Sequence, residues 1–226
     1  MMKISKIIAI VPAYNEEKII LSVLKELKKE VNEIVVIDDG SKDMTAELAE
    51  KEGVFVLKHL INLGQGASLK TGLEFALQKG ADIIITFDAD GQHKASEIKK
   101  IVKPIIEGEC EVVLGSRFLE NKSDIPQLRK FILKIATIFS KLSLGLEITD
   151  THNGFRAFSR KAASLIDIKQ AGMAHASEIL QEIKKNNLSF KEVPVTIEYT
   201  SYSKGKGQSS LNALKILWDL LIQKLL

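Results

Sequence analysis

The chain has 226 residues, 45% of them hydrophobic and 27% charged, which is enough for one sizeable core and excludes a disordered polypeptide. Its net charge of +3 is too small a bias for nucleic acid to be a partner, and its single cysteine, Cys110, excludes an internal disulfide and points to a reducing compartment such as the cytoplasm. No signal peptide is expected before the first strand, and no apolar run reaches the ~20 residues that span a bilayer.

In chain order, residues 7–11 are the first strand candidate, an Ile- and Val-rich run of the kind covered on both faces of a sheet. The turn Pro12-Ala-Tyr-Asn-Glu-Glu17 follows. Its proline fixes the bend, Tyr14 can pack against a base, and Asn15 reads as a helix cap. Ile19, Ile20, Val23, Leu24 and Leu27 then share one helical face. A second strand, 33–37, runs into Asp38-Asp-Gly-Ser41. A carboxylate there can accept from a base edge or a ribose hydroxyl, or can serve the turn itself. The two readings weigh evenly for Asp38, and ligand binding is favoured for Asp39. Asp43 or Ser41 is placed to cap a helix over 46–51, which Gly53 ends. Strand 54–57 leads to Asn62-Leu-Gly-Gln-Gly66, whose glycines permit close backbone approach to a ligand. Leu69, Leu73, Ala76 and Leu77 form the next helical face, ended by Gly80, with Lys70 read as a solvated lysine.

Strand 83–87 opens onto Asp88-Ala-Asp90-Gly-Gln-His93. Both carboxylates sit near the open end of the strand, within reach of one cation. An oxygen-only ligand set suits Mg²⁺ or Mn²⁺, held jointly with substrate phosphates. Gln92 adds a neutral oxygen, and His93 binds the metal or orients the loop. The competing role is capping, by Asp90 or Ser96, of a helix over 97–106. A second acidic pair upstream favours the metal. Cys110 reads as a buried inert thiol before strand 112–115. Arg117 follows at the same edge, and its planar fork suits a phosphate.

Residues 128–146 form an amphipathic helix pattern, with Phe131, Ile132, Ile135, Ile138, Phe139 and Leu142 opposite Lys130, Lys134 and Lys141. It fits either a core-facing helix or one lying in a membrane interface. A late strand over 193–198 precedes a polar loop with Lys204 and Lys206, read as a lid over a diphosphate or as a solvated basic turn. A second apolar stripe over 211–226 suits core packing, a membrane foot or a dimer contact, which leaves a homo-oligomer open. The alternation of strands and helices predicts an α/β fold: a mostly parallel central sheet with helices on both faces, followed by amphipathic C-terminal helices. Ligands of such sheets bind at the carboxyl ends of the strands. The whole chain, 1–226, is expected to be one domain, with a donor and metal part over 1–120 and an acceptor and membrane-facing part over 121–226.

Val11-Pro-Ala-Tyr-Asn-Glu-Glu17, Asp38-Asp-Gly-Ser-Lys-Asp43, Asp88-Ala-Asp-Gly-Gln-His93, Gly115-Ser-Arg117 and Asn153-Gly-Phe-Arg156 together resemble the inverting family 2 glycosyltransferases. In order and spacing they are most similar to the dolichyl-phosphate mannose synthases and related polyprenyl-phosphate sugar transferases. The resemblance implies a GT-A fold and metal-dependent transfer of mannose or glucose, from GDP-mannose or UDP-glucose, to dolichyl or polyprenyl phosphate. By position it implies that Asp88, Asp90 and Gln92 bind the metal and that Pro12, Tyr14, Glu16 and Asp39, with Asp88, form the nucleotide-sugar site. It implies that Arg117 and Arg129 hold the acceptor phosphate, that Lys204 and Lys206 lie in a closing loop, and that Asp90 and Arg117 carry the catalysis. Asp150 precedes the Gly154-Phe155 turn, and Glu178 matches an acidic position on the acceptor side.

The chain departs from the family pattern in two places. Lysines replace the usual arginine of the closing loop, which keeps charge but loses bidentate geometry. Gln170-Ala-Gly-Met-Ala-His175 lacks the usual bulky Phe-Lys pattern. A phosphate acceptor, with a second pKa of about 6, is already ionised at neutral pH and needs positioning more than a base. If the acceptor were instead a hydroxyl, Glu178 or Asp150 would serve as base. The expected setting is cytoplasmic, peripheral on the membrane. The alternatives are a soluble glycosyltransferase using a saccharide or protein hydroxyl, and a non-catalytic nucleotide-sugar-binding protein.

Overall fold

The computed structural model describes residues 5–120, 137 and 145–198. Strands form where Ile and Val cluster: β1 (Ile7–Ala13), β2 (Glu33–Asp38), β3 (Phe55–Lys58), β4 (Ile83–Thr86) and β5 (Val112–Ser116). Two more, β6 (Arg156–Ser159) and β7 (Phe190–Pro194), complete a seven-stranded sheet of order β3-β2-β1-β4-β6-β5-β7. All described pairings are parallel except those of β6, which is antiparallel to both β4 and β5.

Helices cover both faces, as the strand composition requires. Along β1, Ala9, Val11 and Ala13 point to α1 (Ile20–Leu27) and α4 (Ile98–Ile106), where Val23, Leu24, Leu27, Ile98, Ile101 and Val102 join the same core. The alternate residues Ile8 and Ile10, with Val35 and Ile37 of β2, point to α3 (Gln65–Gln78) and α6 (His175–Lys185). A fully buried Ile, Leu or Val contributes about 1.5–3 kcal/mol as an upper bound, so these two layers hold the sheet that carries the site. The remaining helices, α2 (Thr45–Lys51) and α5 (Arg160–Leu165), are short. Cys110 is buried, and burial pushes its thiol pKa up, as an inert thiol requires.

Several local expectations are corrected. β1 continues through Pro12, which pairs in register with Ile37. Ile10 accepts from Phe87 on the β4 side, so by alternation the missing N–H of Pro12 faces the same side, where β4 has already ended. Asn15 caps nothing: its Oδ1 accepts from Lys42 N, tying two loops together. α1 starts without a side-chain cap and Ser41 accepts from Asn15 N, whereas Asp43 does hold the start of α2, its Oδ1 accepting from Thr45 N at 3.0 Å while its Oδ2 accepts from Glu17 N. Neither Asp90 nor Ser96 caps α4, which begins at Ile98 after a 3-10 turn, Ala95–Glu97. The late strand ends at Pro194, and Ile197 makes only an isolated antiparallel bridge to His93. β6 and α5 carry no strong periodic run, whereas α6 buries Ala176, Ile179, Leu180 and Ile183 at helical spacing; all three are additional to the elements expected from the sequence. Most of the 128–146 stripe, Arg129, Lys204, Lys206 and the 211–226 stripe lie outside the described residues. Among the described residues no helix is long and apolar enough to cross a membrane.

Candidate active site

Parallel strands deliver their carboxyl ends to one edge. The chain runs outward from β1 to β2 to β3, then returns to place β4 on the other side of β1. That reversal opens a crevice above β1 and β4, where sheets of this type bind ligands. The turn after β1 and the Asp88–His93 loop after β4 flank it.

On the β1 and β2 side, Tyr14 stands 40% exposed at the rim. Glu16 is anchored through its backbone, its N–H donating to Thr45 Oγ1 at 2.7 Å and its carbonyl accepting from Ile19 and Ile20. The two adjacent acids where β2 ends, Asp38 and Asp39, differ. Asp39 spends both oxygens on the protein, accepting from Leu63 N (2.9 Å), Gly64 N (2.8 Å) and His59 Nδ1 (2.7 Å). It clips down the glycine loop. Asp38 accepts only a long bond from Ser41 N, and its buried Oδ1 has no protein partner. The glycine loop receives the chain itself as well: Gly66 N and Ala67 N donate to Ala171 O, and a Cβ on Gly66 would lie 1.9 Å from Gln170 O. Close approach is thus required by residues 170–171.

The loop after β4 carries the densest chemistry. Asp88 Oδ1 accepts from Gln65 Nε2 (2.9 Å), and Oδ2 accepts from His93 Nε2 (3.0 Å). Because a carboxylate only accepts, His93 carries its proton on Nε2, which leaves the buried Nδ1 without a partner. Phe87 and Phe155 hold the His93 ring, with centroids 5.3 and 5.2 Å away. Burial works to raise the Asp88 pKa, but the hydrogen bond and charge of His93, with the charges of His175 and Arg156, hold it below the ordinary range. Asp90 goes the other way, pushed up to about 6 by burial and by the negative charge of Asp88, with Glu16 adding to the repulsion. Two acids at one strand end thus repel each other, and a cation there would relieve them. Asp90 Oδ1 accepts from Gln92 N, and Gln92 O accepts from Glu198 N, so the last described residues lie across this loop. Gly154 closes the other flank: a Cβ there would lie 2.6 Å from Asp88 Oδ2, and Thr86 Oγ1 donates to its carbonyl.

On the β5 side, Arg117 is buried and its Nε donates to Asp150 Oδ2 at 2.6 Å, with its backbone N–H on the same oxygen at 3.1 Å. Asp150 is therefore an ion-pair partner, and the planar guanidinium is fixed at one corner. Glu178 is occupied too, accepting from the backbone of Lys169 and Gln170. Lys70 pairs with Asp167 on the surface, away from any phosphate role.

Four residues of this neighbourhood carry no sequence signal of their own. Gln65 reaches Asp88. Arg156 is buried and donates to the carbonyls of Thr151, Asn153 and Ala176, and burial lowers its pKa to about 10. His175 donates to Gly172 O. Glu192 holds residues 149–150. Gln65, Arg156 and His175 lie within the 62–66, 153–156 and 170–175 segments and Glu192 lies in none of them, and none of the four shows its partner by spacing.

The family described as Glycosyl transferase family 2 matches residues 8–166. An uncharacterized protein of Methanocaldococcus jannaschii is 42% identical to this chain over 97% of it and 93% of its own length. The UDP-N-acetylglucosamine–dolichyl-phosphate N-acetylglucosaminyltransferase of Methanococcus voltae is 36% identical over 96% of this chain and 95% of its own length. The polyprenol monophosphomannose synthase of Mycolicibacterium smegmatis is 28% identical, covering 84% and 76%. In three dimensions the chain matches glucosyl-3-phosphoglycerate synthase from Mycobacterium tuberculosis, crystallised with Mn²⁺, UDP and glucosyl-3-phosphoglycerate. The TM-score is 0.72 over 96% of this chain and 80% of that one, at 20% identity.

Proposed function

The chain belongs to glycosyl transferase family 2, has the GT-A fold and is a glycosyltransferase related to the polyprenyl-phosphate sugar transferases; on that premise we propose a metal-dependent, inverting transfer from a nucleotide sugar to dolichyl or polyprenyl phosphate. The observation that carries the acceptor class is the occupation of both carboxylates that would serve a hydroxyl acceptor as base. Asp150 is bound to Arg117 and Glu178 to two backbone N–H groups. A phosphate needs no base at neutral pH.

In this reading the β1 and β2 loops receive the nucleotide. Asp88, Asp90 and Gln92 would hold the cation. The residues fit a hard ion: their donors are all oxygen, and Asp90 is pushed towards protonation by burial and by the charge of Asp88. Among the described residues no three His, Cys, Asp or Glu side chains gather into a metal site by themselves, which suits an ion that completes its shell with substrate phosphates and water. When bound, Mg²⁺ or Mn²⁺ supplies charge neutralisation for the departing diphosphate. Arg117 orients the acceptor phosphate, whose oxygen attacks the anomeric carbon in line as the diphosphate leaves. Arg129, Lys204 and Lys206 add positive charge in the same reading.

The name of the Methanococcus relative adds UDP-N-acetylglucosamine to the donors to be tried, beside UDP-glucose and GDP-mannose. A screen of these three with farnesyl phosphate and Mg²⁺ or Mn²⁺ is expected to give one lipid-linked product, lost in chelator. No lipid product with any donor, alongside transfer to a saccharide or peptide, overturns the acceptor class. Working on a lipid acceptor, the protein is expected to float with anionic liposomes as a peripheral protein of the cytoplasmic membrane face.

A further inference from the structure

Strand β7 runs parallel to β5 with Glu192 opposite Leu114, just inside the edge where Ser116 and Arg117 emerge. The Glu192 carboxylate turns onto residues 149–150. Its Oε1 accepts from Thr149 N (2.8 Å), Thr149 Oγ1 (3.0 Å) and Asp150 N (3.1 Å), and Oε2 accepts from Thr149 N at 2.9 Å. Thr149 Oγ1 in turn meets Ser116 Oγ at 2.6 Å, and Ser116 Oγ accepts from Phe118 N. Asp150, fixed at its backbone by Glu192, binds both Nε and the backbone N–H of Arg117 through Oδ2. One carboxylate on β7 therefore sets the turn that sets the arginine.

We infer that Glu192 is a positioning residue for acceptor use, acting on Arg117 through residues 149–150; this rests on the reading of Arg117 as the acceptor-phosphate residue. The chemistry of the contact explains the choice of an acid. Three separate donors converge on this group, and an ionised carboxylate has acceptor sites for all of them. A glutamine in its place has a single carbonyl oxygen, and its NH₂ would face an N–H. The acid is kept although burial, and the charge of Asp150, raise its pKa. A turn that needed only to be tied down has no need of two adjacent carboxylates.

The test uses the full chain, farnesyl phosphate as acceptor and whichever of the three donors is turned over, with Arg117→Ala, Glu192→Gln and the double variant. Glu192→Gln is expected to raise the KM for farnesyl phosphate about tenfold or more and to leave the KM for the donor within about twofold. The double variant should be no worse than Arg117→Ala. Thr149→Val, which removes one donor only, should move the same KM less, and it stands in if Glu192→Gln does not fold. Losses that multiply in the double variant, or donor and acceptor KM rising together, overturn the inference. A raised acceptor KM in Arg117→Ala with an unchanged one in Glu192→Gln overturns the link alone. An unchanged acceptor KM in Arg117→Ala overturns the reading of Arg117 itself.

Discussion

The two halves of the rim handle charge in opposite ways. Above β4, Asp88 and Asp90 stand side by side at one strand end, and burial together with the charge of Asp88 pushes the Asp90 carboxyl up to about 6. Above β5, the buried charge of Arg117 is already met by Asp150. One half is thus incomplete without a cation, and the other is organised before any ligand arrives. For the acidic half, stability and binding are opposed, since the like charges cost folding energy that a bound ion recovers. For the basic half they are aligned, because the contact that fixes the arginine also holds the fold.

This contrast is broken most directly by removing one charge from each half. Asp90→Ala should lower transfer on the order of 10³-fold while leaving the melting temperature unchanged or slightly raised, since a repelled carboxylate is gone. In the wild type, Mg²⁺ or Mn²⁺ at a hundredfold excess over Kd should add about 2.7 kcal/mol of stability, and in Asp90→Ala nothing; equal shifts on calorimetric melting would refute the assignment. Arg117→Ala should lose stability as well as acceptor use. Asp150 is left buried without the guanidinium that meets its charge, so the variant should lose about 3–5 kcal/mol in denaturant unfolding. A loss no larger than that of a surface mutation would mean the pair is not buried in solution.

Smaller effects sharpen the picture. Gly154→Ala forces Asp88 aside, because the added Cβ would lie 2.6 Å from its Oδ2. Metal affinity, followed by titration, should fall about 10–100-fold with the fold retained. The histidines around the site give a pH signature. His175 is buried and His152 half-buried, and desolvation is the first cause holding both near 4 instead of the ordinary 6.5. They are neutral in the fold, so the unfolded chain takes up their protons first. Stability is full above about 6.5 and is lost as pH falls towards 4, at up to about 1.4 kcal/mol per pH unit for each. His175→Gln should flatten that slope in acid unfolding, and an unchanged slope would place the proton uptake elsewhere. Lys70→Ala, which breaks a solvent-screened surface pair with Asp167, should leave both the melting temperature and turnover unchanged.

Much of the acidic half was legible in the sequence, because local chemistry defines it. Ile- and Val-rich runs form strands wherever both faces are covered, and the polar residues after each run fall at one edge of a parallel sheet. That rule places Asp88, Asp90, Gln92, Glu16 and Tyr14 at this edge. Asn15 and Ser41 differ from the capping expectation because they bond across loops about 26 residues apart instead of to a helix start. Strand β6 was missed because Arg156-Ala-Phe-Ser159 has no Ile or Val run; it is a strand because β4 and β5 stand on either side to pair with it.

By itself, then, the sequence determined the layered sheet, the edge that carries the chemistry and the acidic pair after the fourth strand, all of which depend on periodicity and neighbours. Tertiary structure decided which groups are already paired. Asp39 is closed by Leu63 and Gly64, Gly66 receives Gln170 instead of a ligand, and Arg117 is set by Asp150 and Glu192. Each of these contacts joins residues that only packing brings together, and a hydrogen bond between distant residues leaves no period in the chain.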